Sequence, residues 1–302
     1  VIAARISAAW ERLWFAPGSA VNLAAARIVF AGHALWVLLS RDLPALSSLP
    51  PAFWEAVVPI DRMRYLIVPG HAGVETALYW LAVVALVAAM LGILPRLSCL
   101  GAGLLLYHLA PLETIIWTPD PYERGLTVSV LALITLSASR CGDALAVGKS
   151  RRPGSAGGDA AGWEYTWPLR LCQLFLAQVY FFAGWSKIVR AGPGWAAADN
   201  IRRWLLVPEQ QDQLGIFNGY GSWIAGHAPL CLAIGIGTLA LDLAFIAVPF
   251  SARLRRLLVP AAAAGHAAIA LTMNIFFINL PQLLVFVRWD RIFPRHPEAP
   301  AP

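Results

Sequence analysis

Trp167-Pro168-Leu169-Arg170-Leu171-Cys172-Gln173-Leu174-Phe175-Leu176-Ala177-Gln178-Val179-Tyr180-Phe181-Phe182-Ala183-Gly184-Trp185-Ser186-Lys187 is an apolar run whose only charged residues, Arg170 and Lys187, lie near its two ends. A helix of about 20 apolar residues crosses the hydrocarbon core of a bilayer, so this stretch reads as a membrane span. At helical spacing Tyr180, Ala183, Gly184 and Lys187 share one face. The small pair Ala183 and Gly184 lets another helix or a ligand approach the backbone closely, which leaves a lysine beside a crevice. An apolar setting disfavours its ammonium form and makes it usable as a general base. The same lysine also reads as a residue snorkelling to the outer interface.

Similar runs recur on both sides of it. They predict spans at about 20–39, 75–94, 97–116, 125–139, 168–187, 229–249 and 257–274, with a shorter eighth from Leu280 to Val287. Composition agrees: of 302 residues 59% are hydrophobic and 13% charged, about half the charge of an ordinary soluble domain. Thirteen Trp, thirteen Phe and seven Tyr exclude a disordered chain. The formal net charge of +6 falls in short loops. There it is a topology signal and an affinity for anionic headgroups, and nucleic acid is not expected as a partner.

With a cytoplasmic N-terminus and eight spans, thirteen basic residues fall in inside segments and seven in outside ones. The cluster Arg253-Leu254-Arg255-Arg256 gives the strongest single indication. Omitting the eighth span would move Arg288, Arg291 and Arg295 outside. The expected fold is therefore an all-α, polytopic membrane bundle of about eight transmembrane helices, a single domain over 1–302 with both termini cytoplasmic. Residues 1–17 read as an interfacial helix carrying Trp10, Trp14 and Phe15. The Gly/Ser/Pro-rich segment 149–162 reads as a flexible cytoplasmic loop. The stretch 191–227, with Trp195, Trp204 and Trp223, reads as an external segment lying on the membrane surface. Cys99, Cys141, Cys172 and Cys231 have neither disulfide-framework nor zinc spacing.

Ionisable groups at membrane depth are costly and mark function by default. They are Arg27, His33, His108, Glu113, Arg170, Lys187, Asp242 and His266. Arg170 reads as snorkelling to the cytoplasmic surface, and His33 and His108 as hydrogen-bonded packing residues. No His/Glu pair stands at i, i+3 or i, i+4, so no bundle metal site is expected. Arg27 lies about 10 Å into the first span and Asp242 about 20 Å down the sixth from the opposite side, at 1.5 Å per residue. In a core of ~30 Å the two share a depth, which predicts a structural ion pair between Arg27 and Asp242.

The ending Val179-Tyr180-Phe181-Phe182-Ala183-Gly184-Trp185-Ser186-Lys187 resembles the membrane segment of the HTTM-domain family, which includes vitamin K-dependent gamma-carboxylase. Trp117, Tyr122, Gly125 and Leu126 in Trp-Thr-Pro-Asp-Pro-Tyr-Glu-Arg-Gly-Leu resemble that family's luminal connection before the fourth span. Leu241-Asp242-Leu243 and His266 resemble its sixth and seventh spans, and Ala25-Ala26-Arg27-Ile28 its opening helix.

The resemblance implies that Lys187 is the catalytic base acting on a hydroquinone cofactor of the vitamin K or menaquinol type. Tyr180, Gly184, Asp120, Tyr122 and His266 would then shape the pocket for it, with no metal. It implies oxygen-dependent quinol oxidation, coupled in the family to carboxylation, by an integral membrane protein of the bacterial inner membrane. Two departures bear on activity. A histidine of the carboxylase falls on Asp120, and the carboxylase's large luminal domain has no counterpart after span eight. A carboxylase of protein glutamates would thus need a separate substrate-binding partner. The other function class is a non-catalytic transmembrane subunit packed among other membrane-protein subunits and lipids.

Overall fold

The computed structural model describes residues 2–50, 52–54, 71–117, 125–147, 161–207, 218–273 and 275–293. In chain order its α-helices are α1 (Ile2–Phe15), α2 (Ala20–Leu39), α3 (Leu43–Ser47), α4 (Ala72–Leu91), α5 (Pro95–Trp117) and α6 (Thr127–Ser137). They continue as α7 (Thr166–Ala191), α8 (Ala198–Leu206), α9 (Asn218–Ala225), α10 (Ala228–Ala244), α11 (Ala252–Met273) and α12 (Trp289–Ile292). Strands among the described residues are limited to β1 (Gly18–Ser19) and β2 (Ala161–Gly162), paired antiparallel. The fold is all-α, as the apolar runs predict. Among the described residues four segments are long and apolar enough to cross a membrane: α2, α4, α10 with its 3-10 continuation to Phe250, and α11. Helices α5 and α7 have the length, 23 and 26 residues, but carry Arg96 and Arg170, Lys187 and Arg190 respectively. Helix α6 is an 11-residue apolar helix, shorter than the predicted 125–139.

The eighth predicted span has a different structure. Leu280–Phe286 is a seven-residue 3-10 helix, and at about 2.0 Å per residue it covers roughly 14 Å, under half of a ~30 Å core. Pro281 withholds an amide donor, and the apolar run is too brief to repay an α-helical nucleus. The 191–227 stretch contains α8, α9 and the 3-10 helix Gly192–Ala196. Most of the predicted 149–162 loop, residues 149–160, lies outside the described residues.

The chain divides into two compact units, Val1–Cys172 with Val287–Pro302, and Gln173–Phe286. In the first, α2 is the central helix, with Leu23, Phe30, Ala34, Val37 and Leu38 fully buried. It packs on α4 and α6, and α5 packs on α4 and α6. Helix α2 starts where it does because the Ser19 hydroxyl accepts from the amides of Val21 and Asn22. Helix α4 stops at Gly92, whose φ of +72° belongs to the left-handed region. A Cβ there would also stand 2.8 Å from the Arg27 guanidinium and as close to Ala146. The outer face of α4 exposes Trp80, Leu81 and Val84, as a lipid-facing helix does.

One end of this unit gathers several short connecting segments. The Thr166 hydroxyl donates to the Ala16 carbonyl, and Arg96 Nε donates to the Ser139 carbonyl. Asn22 Nδ2 donates to Asp290 Oδ1 at 2.9 Å while Asp290 N donates to Asn22 Oδ1 at 3.1 Å. Arg140 bridges Asp143 (2.7 Å) and Glu164 (2.8 Å). Arg27 reaches the same end: its guanidinium donates to the carbonyls of Cys141 (2.8 Å) and Leu145 (2.5 Å).

In the second unit α8 packs on α9 and α10, and α11 packs on α9 and on the 3-10 helix Phe245–Phe250. Ile201, Leu205, Ala225 and Cys231 form its small apolar core, with Trp195, Ala198, Ile224 and Met273 against it. Close contact depends on glycine at two points. A Cβ on Gly235 would lie 2.5 Å from the Ala196 carbonyl oxygen, and one on Gly184 would lie 2.7 Å from the Asp242 Cβ.

Candidate functional site

Five of the residues singled out in the sequence come together in the second unit. Helix α7 presents Tyr180, Gly184 and Lys187 along one face, as the helical spacing predicts. Gly184 lets the Asp242 side chain of α10 sit directly against the α7 backbone. The consequence is an ion pair between Lys187 Nζ and Asp242 Oδ2 at 2.6 Å. Both are largely withdrawn from solvent, their side chains retaining 26% and 9% of their accessible surface. The ammonium also stands 4.6 Å from the centroid of the Trp195 ring, a cation–π contact. Lys187 is thus held inward, which replaces the snorkelling reading.

Two turns back along α7, the Tyr180 hydroxyl and His266 Nε2 of α11 share a hydrogen bond at 2.8 Å. Tyr180 stacks on Phe245 with centroids 4.1 Å apart and planes 20° from parallel. The His266 ring lies 4.2 Å from that of Phe277. Its Nδ1 is buried and has no hydrogen-bond partner among the described residues. A buried polar atom in that state costs about 1–3 kcal/mol, so the site has unused hydrogen-bonding capacity beside aromatic faces. The arrangement can hold a proton on a Lys–Asp pair and offer a Tyr–His pair to a polar, ring-shaped ligand.

The predicted Arg27–Asp242 pair joins residues of different units, and each has other partners within its own. Asp242 pairs with Lys187, and Arg27 with the carbonyls of Cys141 and Leu145, each within its own unit. Depth along a helix fixes a plane but not an azimuth, and these partners come from α7 and from the turn after α6. Asp120, Tyr122 and the side chain of Glu113 lie outside the described residues.

The sequence reading also missed a pair. Glu75, in the first turn of α4, receives His108 Nε2 of α5 at 3.0 and 3.2 Å from its two oxygens, both side chains being 2% exposed. A glutamate at the start of an apolar run looks like an interfacial boundary. Its burial became legible only with the facing histidine. His33 Nδ1 lies 3.1 Å from the Ser129 hydroxyl, a hydrogen-bonded packing residue as expected. No protein-family model, characterised protein or solved structure matches the chain.

Proposed function

We propose that this is a multi-pass membrane protein of the HTTM type that binds, and as an enzyme oxidises, a quinol-like lipid at the Lys187–Asp242 and Tyr180–His266 site. The single observation that carries the reading is the 2.6 Å contact between two largely desolvated charges, one of them Lys187. Each group fixes the position of the other, largely out of bulk water. A pair of that kind can take a proton from a bound hydroxyl without exposing it to water. A hydroquinone supplies two ionisable hydroxyls and two electrons, and dioxygen as co-substrate would accept the two electrons and two protons as the quinol becomes the quinone. Tyr180, His266 and the unpartnered His266 Nδ1 fit its polar ends, and the rings of Phe245 and Phe277 fit its faces. Carboxylation of a second substrate is a further step of this reading and requires a partner chain to present that substrate.

The same proposal places the chain in a bacterial inner membrane with eight crossings and both termini cytoplasmic. The eighth crossing would combine the 3-10 helix with its flanking chain. The reciprocal hydrogen bonds of Asn22 with Asp290 support termini on one side, because they tie the start of the first span to the segment after the last.

The test uses the full chain in nanodiscs titrated with menaquinol, with tryptophan fluorescence as the readout because Trp195 touches Lys187. Lys187→Ala and His266→Ala should each weaken binding at least about tenfold, a loss of about 1.4 kcal/mol. Wild-type protein that does not bind menaquinol, or variants that bind it equally well, would leave the non-catalytic membrane subunit as the reading.

A further inference from the structure

Arg170 stands in the second turn of α7, within the first unit, and is half-buried. Its Nη1 is buried without a hydrogen-bond partner, and no carboxylate pairs with its guanidinium among the described residues. Arg288 lies within electrostatic range of it. The nearby acid is already engaged: Asp290 takes Arg288 on both oxygens, at 2.9 and 2.5 Å, and Asn22 on one of them. Among the described residues Arg170 therefore has a second guanidinium within electrostatic range and no paired carboxylate. A desolvated, unpaired guanidinium is expensive. Its fork of donors matches a phosphate, which accepts two parallel N–H bonds.

The surroundings indicate where such a phosphate would come from. One turn before Arg170, the Thr166 hydroxyl is tied to the Ala16 carbonyl, which brings the start of α7 beside the end of α1. That edge carries aromatic rings at its surface: Trp10, Phe15 and Trp163 are exposed, Phe15 lies 5.8 Å from Trp163, and the half-buried Trp14 lies 5.6 Å from Trp10. Aromatic belts mark headgroup level in a bilayer, and anionic lipids concentrate phosphate there.

We infer that Arg170, assisted by Arg288, forms a phosphate-binding site at the basic end of the first unit, filled by the headgroup of an anionic phospholipid. This site is separate from Lys187 and owes nothing to the chemistry proposed there.

The experiment takes the full chain, delipidated in a neutral detergent, and follows its thermal midpoint during titration with phosphatidylglycerol, phosphatidylcholine or inorganic phosphate. Phosphatidylglycerol should raise the midpoint well above the rise given by phosphatidylcholine. Arg170→Gln should weaken that response about tenfold or more, with Arg170→Lys retaining part of it. Arg256→Gln, which removes an exposed charge elsewhere, should keep it intact. An equal rise from inorganic phosphate would uphold the phosphate site but assign it to the free ion. If Arg170→Gln fails to fold, the wild-type preference still decides. Equal stabilisation by the two lipids and none by phosphate, or a full response from Arg170→Gln, would overturn the inference.

Discussion

Lys187 Nζ of α7 and Asp242 Oδ2 of α10 stand 2.6 Å apart, and the contact is possible because Gly184 gives the aspartate room beside the α7 backbone. The lysine is therefore a structural partner as well as a candidate base. Sequence alone assigns it little part in packing.

Removing one member strands the other. Lys187→Ala should destabilise the protein by about 2 kcal/mol, less than the 3–5 kcal/mol of a fully buried pair because the lysine keeps some exposure. Lys187→Ala combined with Asp242→Asn should recover part of the loss, with a coupling of at least about 0.5 kcal/mol in a double-mutant cycle. Additive losses in thermal or denaturant unfolding would show that the contact is energetically idle. Lys187→Arg should preserve stability better than alanine yet fail to restore turnover, because guanidinium does not release its proton.

Gly184→Ala tests the geometry from the other side. Its methyl would stand 2.7 Å from Asp242 Cβ and 3.3 Å from Leu243 Cγ, so α7 and α10 must separate. Overpacking of this kind costs roughly 1–3 kcal/mol, and the separation should loosen the ion pair. Menaquinol affinity should fall with stability. Gly237→Ala, on α10 with nothing within 4 Å of the added carbon, should be neutral or slightly stabilising.

The Glu75–His108 pair should behave as a buried unit. Glu75→Ala leaves the imidazole without its partner and should cost about 3 kcal/mol, whereas Glu75→Gln keeps an acceptor for His108 Nε2 and should cost less. Glu75→Leu with His108→Leu should be milder than Glu75→Ala. Equal melting temperatures for the alanine and glutamine variants would refute the pairing as a source of stability.

Acid should act on Asp290. Hydrogen bonds from Arg288, and then from Asn22, hold its carboxyl down at about 2, against an ordinary value of about 3.9. A depressed carboxyl contributes stability that is complete above about pH 4 and is lost as pH falls towards 2. Asn22→Ala narrows the shift, so its thermal midpoint should fall less steeply with acid across that window than the wild type's. Parallel slopes would exclude Asn22 as a cause of the depression.

Cysteine labelling in intact cells checks orientation. All four native cysteines are buried, which keeps background low. Ser155→Cys should resist a membrane-impermeant reagent and Asn218→Cys should react. The reverse pattern would overturn the orientation.

The long apolar runs were legible because period and length suffice to mark them. The first predicted span, 20–39, coincides with α2. Endings depended on subtler causes. Apolar Ile93 and Leu94 extend the second run past its helix, which the backbone of Gly92 terminates at Leu91. The basic cluster at Arg253–Arg256 looks like a loop by charge but forms the first turns of α11, since arginine is a good helix former and snorkels at a span's end. At the site, the α7 face of Tyr180, Gly184 and Lys187 follows from one helix's own periodicity. Which helices present Asp242 and His266 to that face is a matter of rotation about helix axes, and hydropathy carries no such information.

The bonds from Arg27 to the carbonyls of Cys141 and Leu145 close loops of 114 and 118 residues. During translation α2 is therefore made before the carbonyls that accept from Arg27 exist. At about 5–20 residues per second the later acceptor follows roughly 6 to 24 s behind. For that interval the nascent chain carries the Arg27 guanidinium, two turns into α2, without those acceptors. Until the chain beyond α6 has been made, the Cys141 and Leu145 carbonyls cannot accept from that guanidinium. The arginine thus works as a late clasp: it commits α2 to its place only after the ribosome has delivered the turn that receives it.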